Sequence, residues 1–195
     1  MILSNVNLFF IVSCEHPSLP FAEVSAILEA ESIPFVRRSS LPCVFRLSGP
    51  VDAVYNVVSR AAMVFSGVRE LVYCDADYDV IFSSCSSVDW SFLMHRSFAV
   101  RIRRVMGFGH GISTRRLEKV LGALILNLLH GLVSVNLENP DVIVSGVLSG
   151  GKFVLGVLLK EVHRGDFLLR GPKYKPFSHP SALDPLVCRL FVNLT

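Results

Sequence analysis

The sequence predicts an α+β protein built as two small units joined by a connector, with a basic, proline-containing tail that ends in a short helix. Three observations lead there. Charge changes sign along the chain: residues 1–90 hold 5 Lys/Arg against 10 Asp/Glu, and residues 91–195 hold 14 against 6. An acidic half followed by a basic half suggests two units, the second directed at a polyanion. In residues 1–74 the apolar spacing switches between periods of 2 and 3.6 in the order β-α-β-β-α-β, and residues 92–169 read as a strand, a long amphipathic helix and further strands. At 195 residues and 51% hydrophobic, the chain can bury a core of real size and is not a disordered polypeptide.

In the first half, Leu8–Cys14 is β-rich. Pro20 precedes a helical pattern at Phe21, Val24, Ile27 and Leu28. Pro34–Arg38 and Pro42–Leu47 form two short strands around Ser39-Ser40, Pro50 opens a helix carrying Val51, Val54, Tyr55 and Val58, and Met63–Tyr73 closes the unit. That order is the pattern of a ferredoxin-like domain, with helices on one face of an antiparallel sheet. The connector, residues 75–91, is acidic at its start and serine-rich in its middle. Val80, Ile81, Phe82 and Val88 make it a structured segment with a short helix that packs.

The second half opens with a strand whose faces differ. Phe98, Val100 and Ile102 alternate onto one face, while Arg101 and Arg103 share the other. Two positions along a strand span about 6.6–7 Å, a spacing at which two guanidinium groups can address neighbouring phosphates or pair with carboxylates of the same sheet. Gly107-Phe108-Gly109-His110-Gly111 then mimics a dinucleotide fingerprint. Ile112 stands where the third glycine belongs, and no acidic residue follows a second strand at the required distance. Phosphate contact through backbone N–H groups remains open to such a turn. Ser113 suits the N-cap of a helix whose stripe is Leu117, Val120, Leu121, Leu124, Ile125, Leu128 and Leu129, and Gly131 suits its left-handed C-cap. Arg115, Arg116 and Lys119 stand at the positive end of that helix dipole, an arrangement that an anionic ligand would relieve. Strands at Leu132–Val135, Val142–Leu148 and Phe153–Val162 finish the unit, the last two joined by the Ser149-Gly150-Gly151 turn.

The tail, residues 170–195, reads as a stiff basic connector. Asp184 caps, and Pro185 starts, a helix carrying Leu186, Val187, Leu190, Phe191 and Leu194. That much apolar surface is expected to dock a further domain or a separate chain.

The five cysteines, Cys14, Cys43, Cys74, Cys85 and Cys188, contain no C-x-x-C pair and read as small hydrophobes in a reducing compartment, not as a disulfide frame. The amino terminus lacks the basic region of a secretory signal. The apolar run Val120–Val135 is broken by Asn127 and His130 and is short for a bilayer. The expected location is the cytoplasm, with no membrane partner. The six histidines show no metal-ligand spacing, and no nucleophile, acid or base pattern stands out.

Several motifs carry a family resemblance: Phe98-Ala99-Val100-Arg101-Ile102-Arg103-Arg104, the Leu121-Gly122 step, Val135-Asn136-Leu137-Glu138-Asn139-Pro140-Asp141, the Gly156 strand, and above all Lys175-Pro176-Phe177-Ser178-His179-Pro180, Leu183-Asp184-Pro185, Arg189 and Val192-Asn193-Leu194. They look like archaeal tRNA guanine-N2 methyltransferases with a THUMP domain, in particular those acting at position ten of tRNA. The resemblance implies a ferredoxin-like amino-terminal domain at 1–74, a connector at 75–91, a tRNA-gripping THUMP domain at 92–169, and a linker at 170–195 toward a methyltransferase domain. No Asp-Pro-Pro-Tyr motif and no methyl-donor loop is present. The implied chain is therefore a tRNA-recognition module without catalytic residues, metal or cofactor of its own. S-adenosylmethionine would belong to a missing or partner domain.

The residues expected to hold tRNA, including its single-stranded 3′ end, are Arg101, Arg103, Arg104, Phe108, His110, Arg115, Arg116, Lys119, Lys152, Arg164, Lys173, Tyr174 and Lys175. Phe177, His179, Leu186, Leu190, Phe191 and Leu194 are expected to dock the methyltransferase domain or subunit. The alternative is a scaffold that docks a methyltransferase chain through its last helix, with RNA binding secondary. A THUMP domain from another tRNA-modifying system, a thiouridine synthetase or a cytidine deaminase, fits the Lys175–Leu194 motif less well.

Overall fold

The computed structural model describes residues 5–109, 111–162, 165–171, 174, 176–177, 179 and 182–195. The architecture is α+β, with two compact units: Met1–Ser39, Phe45–Gly67 and Leu159–Thr195 in one, Ser40–Val44 and Val68–Leu158 in the other.

The first unit begins with β1 (Val6–Val12), α1 (Leu19–Ala30), β2 (Val36–Arg37), β3 (Val44–Gly49), α2 (Asp52–Arg60) and the start of β4 (Val64–Asp75), with strands in the order β2-β3-β1-β4. β1 lies inside this order and is buried on both faces from Leu8 to Val12, which is why it reads as an unbroken apolar run. β2 contracts to two residues, pairing Val36 with Ser48 and Arg37 with Leu47 antiparallel to β3. Pro34, with no N–H to offer a ladder, lies outside it. His16 starts α1 in a way the sequence did not signal: its Nδ1 accepts from Ser18 N at 3.2 Å and Leu19 N at 3.1 Å. Beside Val24, Ile27 and Leu28, α1 also buries the whole of Glu23.

In the second unit, Asp77 caps α3 (Tyr78–Ser86) by accepting from Asp79 N and Val80 N. A single 3-10 turn follows at Ser91–Leu93. Ile81, Cys85, Trp90 and Leu93 all enter the core of this unit, so the serine-rich segment contributes packing. β5 (Ser97–Arg104), α4 (Thr114–Leu128), β6 (Ser134–Val135), β7 (Val142–Ser149) and β8 (Lys152–Glu161) follow, with strands ordered β4-β8-β7-β5-β6. β5 runs parallel to β6 and to β7, so α4 is a crossover helix, as a parallel connection requires. β7 and β8 form an antiparallel hairpin closed by Ser149 opposite Lys152. Its two turn residues, Gly150 and Gly151, both have left-handed φ, +55° and +75°, as a two-residue hairpin of this twist demands. Gly156 is required for a different reason: a Cβ there would stand 1.9 Å from the carbonyl oxygen of Arg69.

Ser113 caps α4, its Oγ accepting from Arg116 N at 3.3 Å, and Leu117, Leu121, Leu124 and Ile125 face the core. Gly131 takes the left-handed φ expected of it, its N–H donating to Leu126 O, and His130 before it is left-handed as well. Two expectations are corrected here. Leu128 is exposed, because the buried stripe follows 117, 121, 124 and 125. The strand expected at Leu132–Val135 also shrinks to Ser134–Val135.

After Leu158 the chain returns to the first unit, with the single turn α5 (Gly165–Leu168) and then α6 (Pro185–Leu194). Asp184 caps α6 as expected, accepting from Leu186 N at 2.8 Å. Leu190 is buried against Ala62 and Met63, with Leu19, Leu186 and Leu194 packed around them. The docking is also polar. Both carboxyl oxygens of Glu23 accept backbone N–H groups, from Ala62 and Met63, each at 2.8 Å. Asn193 Nδ2 donates to Glu23 at 2.8 Å and to Arg60 O at 3.0 Å, and Arg189 Nε donates to Arg60 O at 2.8 Å.

Cys74, Cys85 and Cys188 are free, and burial pushes the Cys85 thiol up to about 12. Among the described residues, no helix is long and apolar enough to cross a membrane.

Candidate nucleic-acid interface

In the second unit, β5 and α4 form the walls of an open groove of about 490 Å³. β5 follows its pattern: Phe98, Val100 and Ile102 are buried, Arg101 and Arg103 exposed. The strand is paired with β7 from Phe98 to Arg104 but with β6 only at Ser97 and Phe98. Beyond Phe98 its outer edge is therefore not laddered by β6. There the Glu118 side chain of α4 accepts from Ile102 N at 2.7 Å, a role that the sequence did not disclose. Arg101, Arg115 and Lys119 stand at the groove, whose apolar lining includes Val100, Gly122, Ala123, Leu126, Val135 and Leu137. Arg101 donates to the carbonyl of Leu137. Arg115 and Lys119 are exposed and, among the described residues, are in no ion pair.

The other expected RNA contacts are placed differently. Arg103 is exposed and already engaged. Arg104 is half-buried and donates to Ile112 O, so it holds the loop between β5 and α4. Phe108 in that loop is also half-buried. Arg116 lies over the Tyr78 ring, 5.6 Å from its centroid. Lys152 is paired with Asp75, whose hydrogen bond and charge raise its pKa above the usual lysine value. Tyr174, in the first unit, is 55% exposed. His110, Arg164, Lys173 and Lys175 lie outside the described residues.

Of the residues expected to dock a partner, Phe177 is 93% and Phe191 52% exposed, whereas Leu190 is 2% exposed and faces the chain's own Ala62 and Met63. Leu186 and Leu194 pack around it, and His179 is exposed. Beside α6 an open hollow of about 370 Å³ is lined by Phe167, Leu183, Cys188 and Val192, among others.

Residues 75–158, which contain this groove, match the THUMP domain. The chain carries a THUMP domain. It is 29% identical over 97% of its length to the tRNA (guanine(10)-N2)-dimethyltransferase of Methanothermobacter thermautotrophicus, and 31% identical over 92% to that of Pyrococcus abyssi. These matches cover 54% and 51% of the two relatives, so the chain spans about half the length of the curated relatives it matches. Among solved structures, TrmN from Thermus thermophilus superposes with a TM-score of 0.63 at 18% identity, over 96% of this chain and 54% of the other. A 4-thiouridine synthetase–RNA complex gives 0.52 at 14% identity, over 81% and 42%. Both show likeness of fold.

The strand–turn–helix of β5 and α4 lacks, among the described residues, one part of a dinucleotide-type site: an acidic side chain at the end of the next strand to hold the ribose. Here β6 ends at Val135, and the side chain of the following Asn136 is taken by Glu138 N and Asn139 N, each at 3.1 Å. Gly109, in the turn before α4, has the Leu148 side chain 3.6 Å from its Cβ position. Among the described residues no cluster of His, Cys, Asp or Glu could hold a metal ion.

Proposed function

We propose that the chain is the tRNA-recognition part of an S-adenosylmethionine-dependent tRNA guanine-N2 methyltransferase, positioning tRNA in the cytoplasm for a catalytic domain in another segment or subunit. The observation that carries this reading is the convergence of Arg101, Arg115 and Lys119 on one groove of the THUMP domain. Similarity to enzymes named for guanine ten supports the substrate. The β-α-β-β-α-β order of the first unit and its strand order support a ferredoxin-like domain before the THUMP domain, with residues 170–195 as the link to the catalytic domain.

The work of such a module is positional. Guanidinium and ammonium groups hold phosphates and set the register of the RNA, and carry no base specificity of their own. Chemistry on the extruded guanine happens elsewhere. Within the THUMP domain, Arg103, Arg116 and the loop carrying Phe108 are assigned further RNA contacts; Tyr174, in the first unit, is assigned one separately. The donor S-adenosylmethionine is assigned to the catalytic domain, and no methyl-transfer step to this chain.

The test is the affinity of the purified chain for intact tRNA, and for the same tRNA trimmed of its single-stranded 3′ end, across a salt series. Salt-sensitive binding that weakens on trimming is the expected result. Failure to bind either RNA at low salt would overturn the reading.

The exposed outer face of α6, Phe191 and Val192, favours a second reading in which a methyltransferase subunit covers it. Deleting the helix would strip Leu190 and Asn193 from the first unit. A Phe191→Ser/Val192→Ser variant that still captures the subunit would remove this second reading.

A further inference from the structure

The groove between β5 and α4 has the construction of a slot for a single flat ligand. Its inner wall is apolar and its polar groups are few, as in small-ligand sites of about 300–1,000 Å³. Gly122 leaves a bare stretch on α4, with no heavy atom within 4 Å of where its Cβ would lie. Val135 and Leu137 form the facing wall and are 47% and 61% exposed. Arg101, Arg115 and Lys119 bring positive charge to the same groove. A simple anion needs no apolar wall of this kind, and an aliphatic ligand needs no cations. A peptide adding itself to the open edge of β5 would have to evict Glu118 from Ile102 N.

We propose that this groove binds one unpaired nucleotide of an RNA strand, its base lying over Gly122 and Ala123 against Val135 and Leu137, its phosphates on Arg115 and Lys119. This rests on the RNA-binding reading above and adds a defined subsite to it. A base offers a π-face and apolar area whatever its identity, so the slot accepts any base with modest preference. Paired bases cannot enter, because a nucleotide within a duplex presents only its edge.

The experiment fills the slot. Gly122→Leu puts a side chain into open space on the groove wall, and its fold is checked by circular dichroism and thermal midpoint. Ala123→Leu, on the exposed side of the same groove, serves if Gly122→Leu fails to fold. The probe is a single-stranded RNA tetranucleotide carrying 2-aminopurine, whose fluorescence reports enclosure of the base. CMP alone and a tetraglutamate peptide are run in parallel, and wild-type binding to intact tRNA is measured in the same buffer. The slot requires that wild type bind the tetranucleotide at least tenfold more tightly than CMP or the peptide, and that the filled variant lose tenfold or more. Equal binding by wild type and variant, no binding by wild type, or equal affinity for the peptide overturns it. If wild type binds tRNA but not the tetranucleotide, the slot falls and the tRNA reading stands. If it binds the tetranucleotide in the slot but not tRNA, the slot stands and the tRNA reading falls.

Discussion

Two helices in this chain, α6 and α4, read alike in the sequence as amphipathic segments beside basic residues, and the structure uses them in opposite ways. On α6 the inward residues are consumed by the fold: Leu190 meets Ala62 and Met63, and Asn193 and Arg189 are hydrogen-bonded to Glu23 and the Arg60 carbonyl. On α4 the stripe is equally consumed, but the flank carrying Arg115, Lys119 and Gly122 remains open beside an apolar wall. Apolar surface and positive charge are therefore weak guides to an interface when counted along a sequence. What separates the helices is whether their charged and polar side chains already have partners inside the molecule.

The largest loss is expected at Glu23. Glu23→Ala removes the acceptor of the Ala62 and Met63 N–H groups and of the Asn193 amide. At about 1–3 kcal/mol for each buried donor left unpaired, the loss of unfolding free energy is expected to reach roughly 3 kcal/mol or more, read from a denaturant midpoint. A midpoint unchanged by Glu23→Ala would remove the polar account of how α6 docks. Next in size is the contrast within α6. Leu190→Ala is expected to cost roughly 2–5 kcal/mol as a cavity in a packed site, and Phe191→Ser to stay within about 0.5 kcal/mol. Similar losses at the two positions would mean that the outer face is packed as well.

Smaller effects sharpen the α4 side. Because Lys152 is occupied by Asp75 and Arg115 is not ion-paired among the described residues, Lys152→Gln should weaken tRNA binding less than Arg115→Gln in a direct titration. The Lys152–Asp75 pair has its own pH signature. A lysine whose pKa is raised on folding contributes stability that is complete below its ordinary value of 10.5 and is lost as pH climbs through the raised value. Asp141 works in the other direction. Hydrogen bonds from Ser97 hold it below its ordinary 3.8, so its contribution is complete above that value and is lost as pH falls through the lowered one. Thermal midpoints of wild type and Lys152→Met should differ by a constant amount from about pH 5 to 9 and converge at higher pH. A gap that persists there would argue against the pair.

Much of the fold was legible where local chemistry decides it. Caps at Ser113 and Asp184, the proline opening α6, the Gly150-Gly151 turn and the alternation of β5 all emerge as the sequence reads them. What could not be read depended on distant partners. Nothing near Glu23 announces that its donors lie some forty residues on at 62 and 63. His16 gave no capping signal, since its role depends on one ring nitrogen reaching Ser18 and Leu19. The groove was half legible: Arg101, Arg115 and Lys119 stand out as charges, whereas Glu118, Gly122 and Leu137 become part of the site only through the β5–α4 crossover.

Above all, the open, cation-rimmed face of α4 is proposed to hold RNA phosphates. The most direct measurement is the slope of log affinity for tRNA against log salt concentration, for wild type and for an Arg115→Gln/Lys119→Gln variant with an unchanged unfolding midpoint. Each phosphate contact removed should reduce the slope by about 1, so the variant is predicted to be shallower by about 2 and weaker across tRNAs alike. Identical slopes in the two proteins, or a wild-type affinity indifferent to salt, would contradict it.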